Sequence, residues 1–274
     1  MSTEKDGKVK LPVVSYSKIT SFKACPKKYK LCYIDKLERA QSPYADFGNF
    51  CHEILEKFHG VYLRFKGVPK PNDMKNTMIE IFNSKVKEYK NKLTKEQIDE
   101  GYDIMKLYLK QVIDQARDNV YPNIVALERK IWEPVNDKFN FYGFIDRLQK
   151  DSDGILHVMD YKTTKNKRYL KDRTQLMLYG YFVYVKDPTI TKVRTSYILL
   201  RHKMGLMTEE HTIDDLKTVK EEFANDWDKV QEEKLFRANP RFDTCTICDF
   251  ADKCQEGREL LQRRKSFVGR EAGW

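Results

Sequence analysis

Two short segments, Gly143-Phe144-Ile145-Asp146-Arg147 and Val158-Met159-Asp160-Tyr161-Lys162, set charged side chains into apolar, strand-forming surroundings. Residues two apart on a strand share a face, so Asp160 and Lys162 project together. A hairpin turning at Asp153-Gly154 brings Asp146 alongside Asp160. Two carboxylates at one point hold a hard divalent cation, Mg²⁺ or Mn²⁺, with the backbone carbonyl of Tyr161 as a third oxygen. Such a cation acidifies a bound water and neutralises charge on a phosphodiester. Lys162 is suited to orient or deprotonate that water. The plainer alternative pairs Asp146 with Arg147 and makes Asp160–Lys162 a surface ion pair. The apolar flanks weigh against it, because they put these charges at the heart of a sheet.

A second grouping is Cys245-x₂-Cys248-x₅-Cys254, in a charged, loop-like stretch near the end of the chain. Thiolates two residues apart can grip one centre, so this spacing points to metal or cluster binding rather than to a disulfide framework. One more ligand is needed to complete the set. The six cysteines imply a reducing, intracellular, cytoplasmic setting. Between the two groupings, Lys165, Lys167, Arg168, Lys171 and Arg173 surround Tyr169 directly after the Asp160 strand. That basic loop is placed to grip phosphates and stack a base; its bland reading is a solvated loop.

The elements that must position these residues follow from hydrophobic period. Two short helices joined near Cys25-Pro26 span Ser15 to Leu37, and a longer one runs from Asp46 to Phe65. After a break at Pro69 and Pro71, helices cover Asp73 to Lys92 and Thr94 to Asn119, the second opened by a Thr94/Gln97 capping box. Strands follow over Ile124–Glu133, Phe139–Gln149 and Ile155–Thr163, with turns at Asn136-Asp137 and Asp151 to Gly154. A helix over Asp172–Val185, a strand pair turning at Lys203-Met204-Gly205 and a helix over Asp214–Lys234 complete the order. We expect a flexible tail over 1–14 and a single domain over 15–274. Within it, a helical insertion is expected at about 71–121 and a cysteine-bearing region over 235–274.

The bulk numbers bound the function. Hydrophobic residues make up 41% of 274, enough for a core. Lysine and arginine number 51 against 41 acids, a net charge of +10 that suits a polyanionic partner. No apolar run has membrane-spanning length and no signal stretch follows the charged first residues, so a soluble chain with no membrane partner is expected. No G-x₄-G-K-[S/T] motif occurs, so any helicase must be another chain.

Taken together, Gly143-x₂-Asp146 and Asp160-Tyr161-Lys162 resemble the strands of PD-(D/E)XK nucleases, of the RecB/AddB/Cas4-like group. Gln175-x₃-Tyr179 resembles that family's Q-x₃-Y helix, which contacts DNA and steadies the site. Gly48-x₃-His52 resembles its G-x₃-H helix, whose histidine is a metal ligand. Ser17-x₄-Phe22-x₂-Cys25-Pro26-x₂-Tyr29 resembles the N-terminal cysteine motif of the iron–sulfur members. The resemblance implies an α/β fold with a restriction-endonuclease-like core, a mixed central sheet flanked by helices. It also implies a 4Fe–4S cluster on Cys25, Cys245, Cys248 and Cys254 that staples the N- and C-terminal regions. Structural Zn²⁺ on the same thiols is the chemical rival. The implied activity is a metal-dependent DNA exonuclease acting on single-stranded ends in repair, recombination or genome processing, with a separate helicase or recombination partner. A Cas4-like or endonucleolytic enzyme is the alternative, or an inactive DNA-binding subunit of a helicase–nuclease complex. His59, His157, His202 and His211 match no motif and read as ordinary structural residues.

Overall fold

A computed structural model describes residues 11–39, 43–65 and 67–271, leaving aside the side chains of residues 43, 168, 169 and 264–271. In chain order the elements are β1 (Val13–Val14), α1 (Tyr16–Ala24), α2 (Pro26–Tyr29), α3 (Pro43–Tyr62), α4 (Pro71–Tyr89) and α5 (Lys95–Arg117). Then come β2 (Ile124–Pro134), β3 (Asn140–Lys150), β4 (Leu156–Lys162), α6 (Thr174–Lys186), β5 (Lys192–Leu199) and β6 (Gly205–Thr212). The last helices are α7 (Ile213–Glu232), α8 (Phe242–Cys245) and α9 (Gln255–Glu271). Among the described residues no helix is long and apolar enough to cross a membrane.

The described residues form two compact units, one of residues 11–39, 134–141 and 222–271, the other of 43–65, 67–133 and 142–221. In the first unit Val13 and Val14 pair in parallel with Asn140 and Phe141. Val14 is fully buried, so these two residues do not belong to the tail expected over 1–14. Residues 1–10 of that tail lie outside the described residues. Phe139 and Phe141 pack against Phe223, and Phe139 also against Trp227. From Thr246 to Cys254 the chain runs as turns, loop-like as expected, and α9 follows Cys254 directly.

The second unit holds the sheet. β3 and β4 are antiparallel, with Arg147 opposite Met159. β4 and β5 are parallel, with Asp160 opposite Tyr197 and Lys162 opposite Leu199. β5 and β6 are antiparallel, and β2 pairs with β3. Parallel neighbours need a crossover, and α6 supplies it between β4 and β5. The β3–β4 turn closes through Gly154 N–H donating to the Asp151 carbonyl, with Gly154 at φ +85°. That left-handed backbone favours glycine.

Helices α3, α4 and α5, the last two covering the expected insertion, share one apolar core. Phe47, Phe50, Ile54, Phe58, Met105 and Tyr108 pack there with Met159 and Tyr161 of β4. The pairing of α3 with α5 depends on Gly101, where an added Cβ would lie 2.7 Å from Phe50 Cε1. The capping box opens α5 as its residues predict: Gln97 N–H donates to Thr94 Oγ1 at 3.3 Å and Thr94 N–H to Gln97 Oε1 at 2.9 Å.

Candidate metal centre

The site in the second unit is built where the end of β4 meets α3 and the middle of β3. His52, one turn beyond Gly48 on α3, reaches the backbone of Tyr161 and donates from Nε2 to its carbonyl at 2.7 Å. The N–H of Tyr161 donates to Asp146 Oδ2 at 2.8 Å, and His52 Nδ1 lies 3.3 Å from the same oxygen. One peptide unit of β4 therefore ties a histidine from α3 to a carboxylate from β3. Burial works against charge on His52, but the neighbouring Asp146 and Asp160 carboxylates outweigh it and hold the imidazole at about 9.

Asp160 and Lys162 share a face of β4, as their spacing predicts. Lys162 Nζ stands 2.7 Å from Asp160 Oδ2, near enough for an ion pair. The approach is not aligned as a hydrogen bond, and Asp160 Oδ2 is buried without one. Burial pushes the Asp160 carboxyl up, and Asp146 adds to this against the pull of Lys162 and His52. Burial likewise opposes the Lys162 ammonium, yet Asp160 holds its pKa above the usual lysine range. Lys162 also lies 5.1 Å from the centre of the Tyr197 ring.

On α6, Gln175 Nε2 donates to the Tyr179 hydroxyl at 3.0 Å. Tyr179 is buried, and Asp160, Asp146 and Lys162 all lie within electrostatic reach of it. The Q-x₃-Y pair therefore faces the same charges as the strand residues.

Sequence reasoning missed Glu128. Among the described residues one set of three potential ligand atoms lies within 4.8 Å of one another, from His52, Glu128 and Asp146. Glu128 sits inside β2 yet has φ +44°, a left-handed conformation that breaks the strand's regularity. A non-glycine residue there carries strain, which concentrates at functional sites. Burial, with Asp146 and Glu56 nearby, pushes its carboxyl up to about 7. Leu127-Glu128-Arg129 looks like any exposed strand segment, so local sequence offered no signal. Asp160 is not in the triple; its nearest charge is Lys162.

The basic loop divides. Lys165, Lys167 and Lys171 are exposed. Arg173, expected to contact DNA, instead turns inward: it is buried, its Nε donates to Glu209 at 3.1 Å, and it stacks 4.7 Å from the Tyr197 ring centre. The side chains of Arg168 and Tyr169 lie outside the described residues.

In the first unit, Cys25, Cys245, Cys248 and Cys254 all line one cavity, together with Lys27 and Phe250. No three of their sulfurs lie within 4.8 Å of one another. Of the remaining cysteines, Cys51 is fully buried in the second unit, and Cys32 is half-buried and accepts from Arg39 at 2.8 Å. His59 is fully buried between the hydroxyls of Tyr108 and Tyr121, and His157 lies between Asp151 and Ser196.

No curated protein matches the sequence. The solved structures similar to it include the crystal structure of SSO0001, 14% identical with a TM-score of 0.39, covering 92% of this chain and 88% of that one. The model of the PD-(D/E)XK nuclease superfamily matches residues 13–255, and on that match over most of its length the chain belongs to this superfamily of metal-dependent nucleases.

Proposed function

We propose that the chain is a DNA exonuclease acting on single-stranded ends, with Mg²⁺ or Mn²⁺ held by His52, Glu128, Asp146, Asp160 and the carbonyl of Tyr161. The observation that carries this reading is the junction at Tyr161, whose backbone meets His52 and Asp146 together. The donor set is one imidazole and several oxygens, the chemistry of a hard divalent cation. Asp160, whose buried Oδ2 is ion-paired with Lys162, adds a further carboxylate to this set. When bound, the cation supplies Lewis acidity and lowers the pKa of a water beside the scissile phosphate.

The chain's own residues do the rest. Lys162, fixed by Asp160, offsets charge on the phosphate and orients the attacking water. Gln175 and Tyr179 carry a hydrogen-bonded pair to the same pocket, suited to holding the backbone next to the cleaved bond. Lys165, Lys167 and Lys171 supply exposed positive charge at the loop that follows Lys162, where phosphate contacts position a strand without reading its sequence.

A 4Fe–4S cluster on Cys25, Cys245, Cys248 and Cys254 completes the proposal. Four thiols on one cavity support it.

The test is digestion of end-labelled linear and circular single-stranded DNA with Mg²⁺ or Mn²⁺. Loss of linear ends with circles intact supports the exonuclease. Cleavage of circles makes it an endonuclease, the second reading. No cleavage under either metal, with DNA still bound, rejects both.

A further inference from the structure

Beyond the metal centre, β2 and β3 carry an aromatic stripe that none of the chemistry above uses. Trp132 is 46% exposed and Phe144 39%, and between them stands the half-buried Tyr142. The Trp132 and Tyr142 rings meet edge to face, 5.5 Å apart at 81°. Tyr142 and Phe144 repeat the arrangement at 5.4 Å and 83°. Lys130 Nζ lies 4.9 Å from the Trp132 ring and 5.7 Å from that of Tyr142.

Strand alternation shows which face this is. Ile131 and Ile145 are buried and line a cavity with Phe182 and Val183 of α6. Their neighbours Lys130, Trp132 and Phe144 therefore project from the opposite face. Further along the same two strands, Glu128 on β2 and Asp146 on β3 bring carboxylate oxygens within 4.8 Å of each other at the metal centre. Phe144 is two residues from Asp146 and Tyr142 four, so the rings approach the site in steps of about 7 Å.

Large exposed aromatic rings in a row are uncommon on a surface and mark a place of contact. We propose that Lys130, Trp132, Tyr142 and Phe144 form a stacking track for the unpaired bases of single-stranded DNA, leading the strand to Asp146. This rests on the nuclease reading for its destination, not for its binding chemistry. Every base has a π-face, so aromatic side chains bind a strand without regard to sequence, while a lysine meets its phosphates. A duplex keeps its base faces stacked internally and offers none to the rings. The net charge of +10 and continuity with the metal pocket favour a polyanion over a second copy of the chain.

The test is a binding cycle with the full chain in EDTA. Oligothymidylate is compared with the same oligomer carrying abasic sites, and with a duplex, for wild type and for Trp132→Ala/Phe144→Ala. The wild type is expected to bind the abasic oligomer about tenfold more weakly, and the double variant to lose that preference. Duplex affinity should not change between the two proteins. Trp132→Phe/Phe144→Tyr, which keeps the rings, should retain the preference and so separates lost stacking from lost folding. Equal preference for intact bases in the wild type and the double alanine variant would overturn the track. So would a double variant that changes only the sedimentation of the protein, since the stripe would then join two copies. A wild type that prefers intact bases but cleaves nothing with Mg²⁺ or Mn²⁺ would retain the track and remove the nuclease reading.

Discussion

Lys162 Nζ stands 2.7 Å from Asp160 Oδ2, two residues back on the same strand; Asp160 is buried and Lys162 half-buried. Removing one member of a buried pair leaves the other charge uncompensated, at a cost of about 3–5 kcal/mol. Lys162→Met should therefore lower the melting temperature of the metal-free protein and reduce cleavage by about 10²–10⁴-fold. Asp160→Asn should abolish metal-dependent cleavage while keeping DNA binding in EDTA. Thermal melts and end-labelled digestion check both.

Glu128 combines a left-handed backbone with a carboxyl crowded against Asp146. Asparagine tolerates that backbone better than glutamate and cannot carry the charge. Glu128→Asn should leave the metal-free protein as stable or more so, by up to about 1 kcal/mol, and shrink the rise in melting temperature on adding Mn²⁺. A marked loss of metal-free stability would show Glu128 to be structural.

His59, His157 and His211 are buried, and burial holds each imidazole below its ordinary value. The unfolded chain binds protons at these positions from pH about 6.5 downward, before the folded chain does. Their contribution is thus present above that pH and lost as pH falls through the folded values. His52, held at about 9, stays charged in the folded chain over this range, and its opposing slope fades below about pH 6 as the unfolded chain protonates too. Stability should drop between pH 6.5 and 5 by up to about 1.4 kcal/mol per unit for each group. Urea melts across that range should show a shallower slope in His59→Gln.

Lys165 and Lys167 are exposed where the strand would leave the pocket. Replacing both with alanine should weaken binding of oligothymidylate and make log Kd less steep in log salt by about 1.4, the share of two single-strand phosphate contacts. An unchanged slope would return the loop to ordinary solvated surface.

Cys25, Cys245, Cys248 and Cys254 make a spectroscopic prediction. Protein purified without oxygen should be brown, absorb near 400 nm and hold about four irons. Cys248→Ser should lose the colour and lower the melting temperature. A colourless protein with one zinc would overturn the cluster.

Much of this was legible in local patterns. Hydrophobic period places helices and strands within a few residues, and Thr94 with Gln97 opens α5 because a capping box involves only near neighbours. Asp160 and Lys162 share a face because strand period alone requires it. The rest depended on chain segments far apart in sequence. Glu128 became part of the site only because a break in β2 turns it toward Asp146, and Arg173 left the basic loop because Glu209 and Tyr197 hold it inward. Val13 and Val14 looked like tail until Asn140 and Phe141 gave their backbone a partner. Residue type and spacing determine what a side chain can do; which neighbours it meets, and how much water remains around it, is decided by tertiary packing.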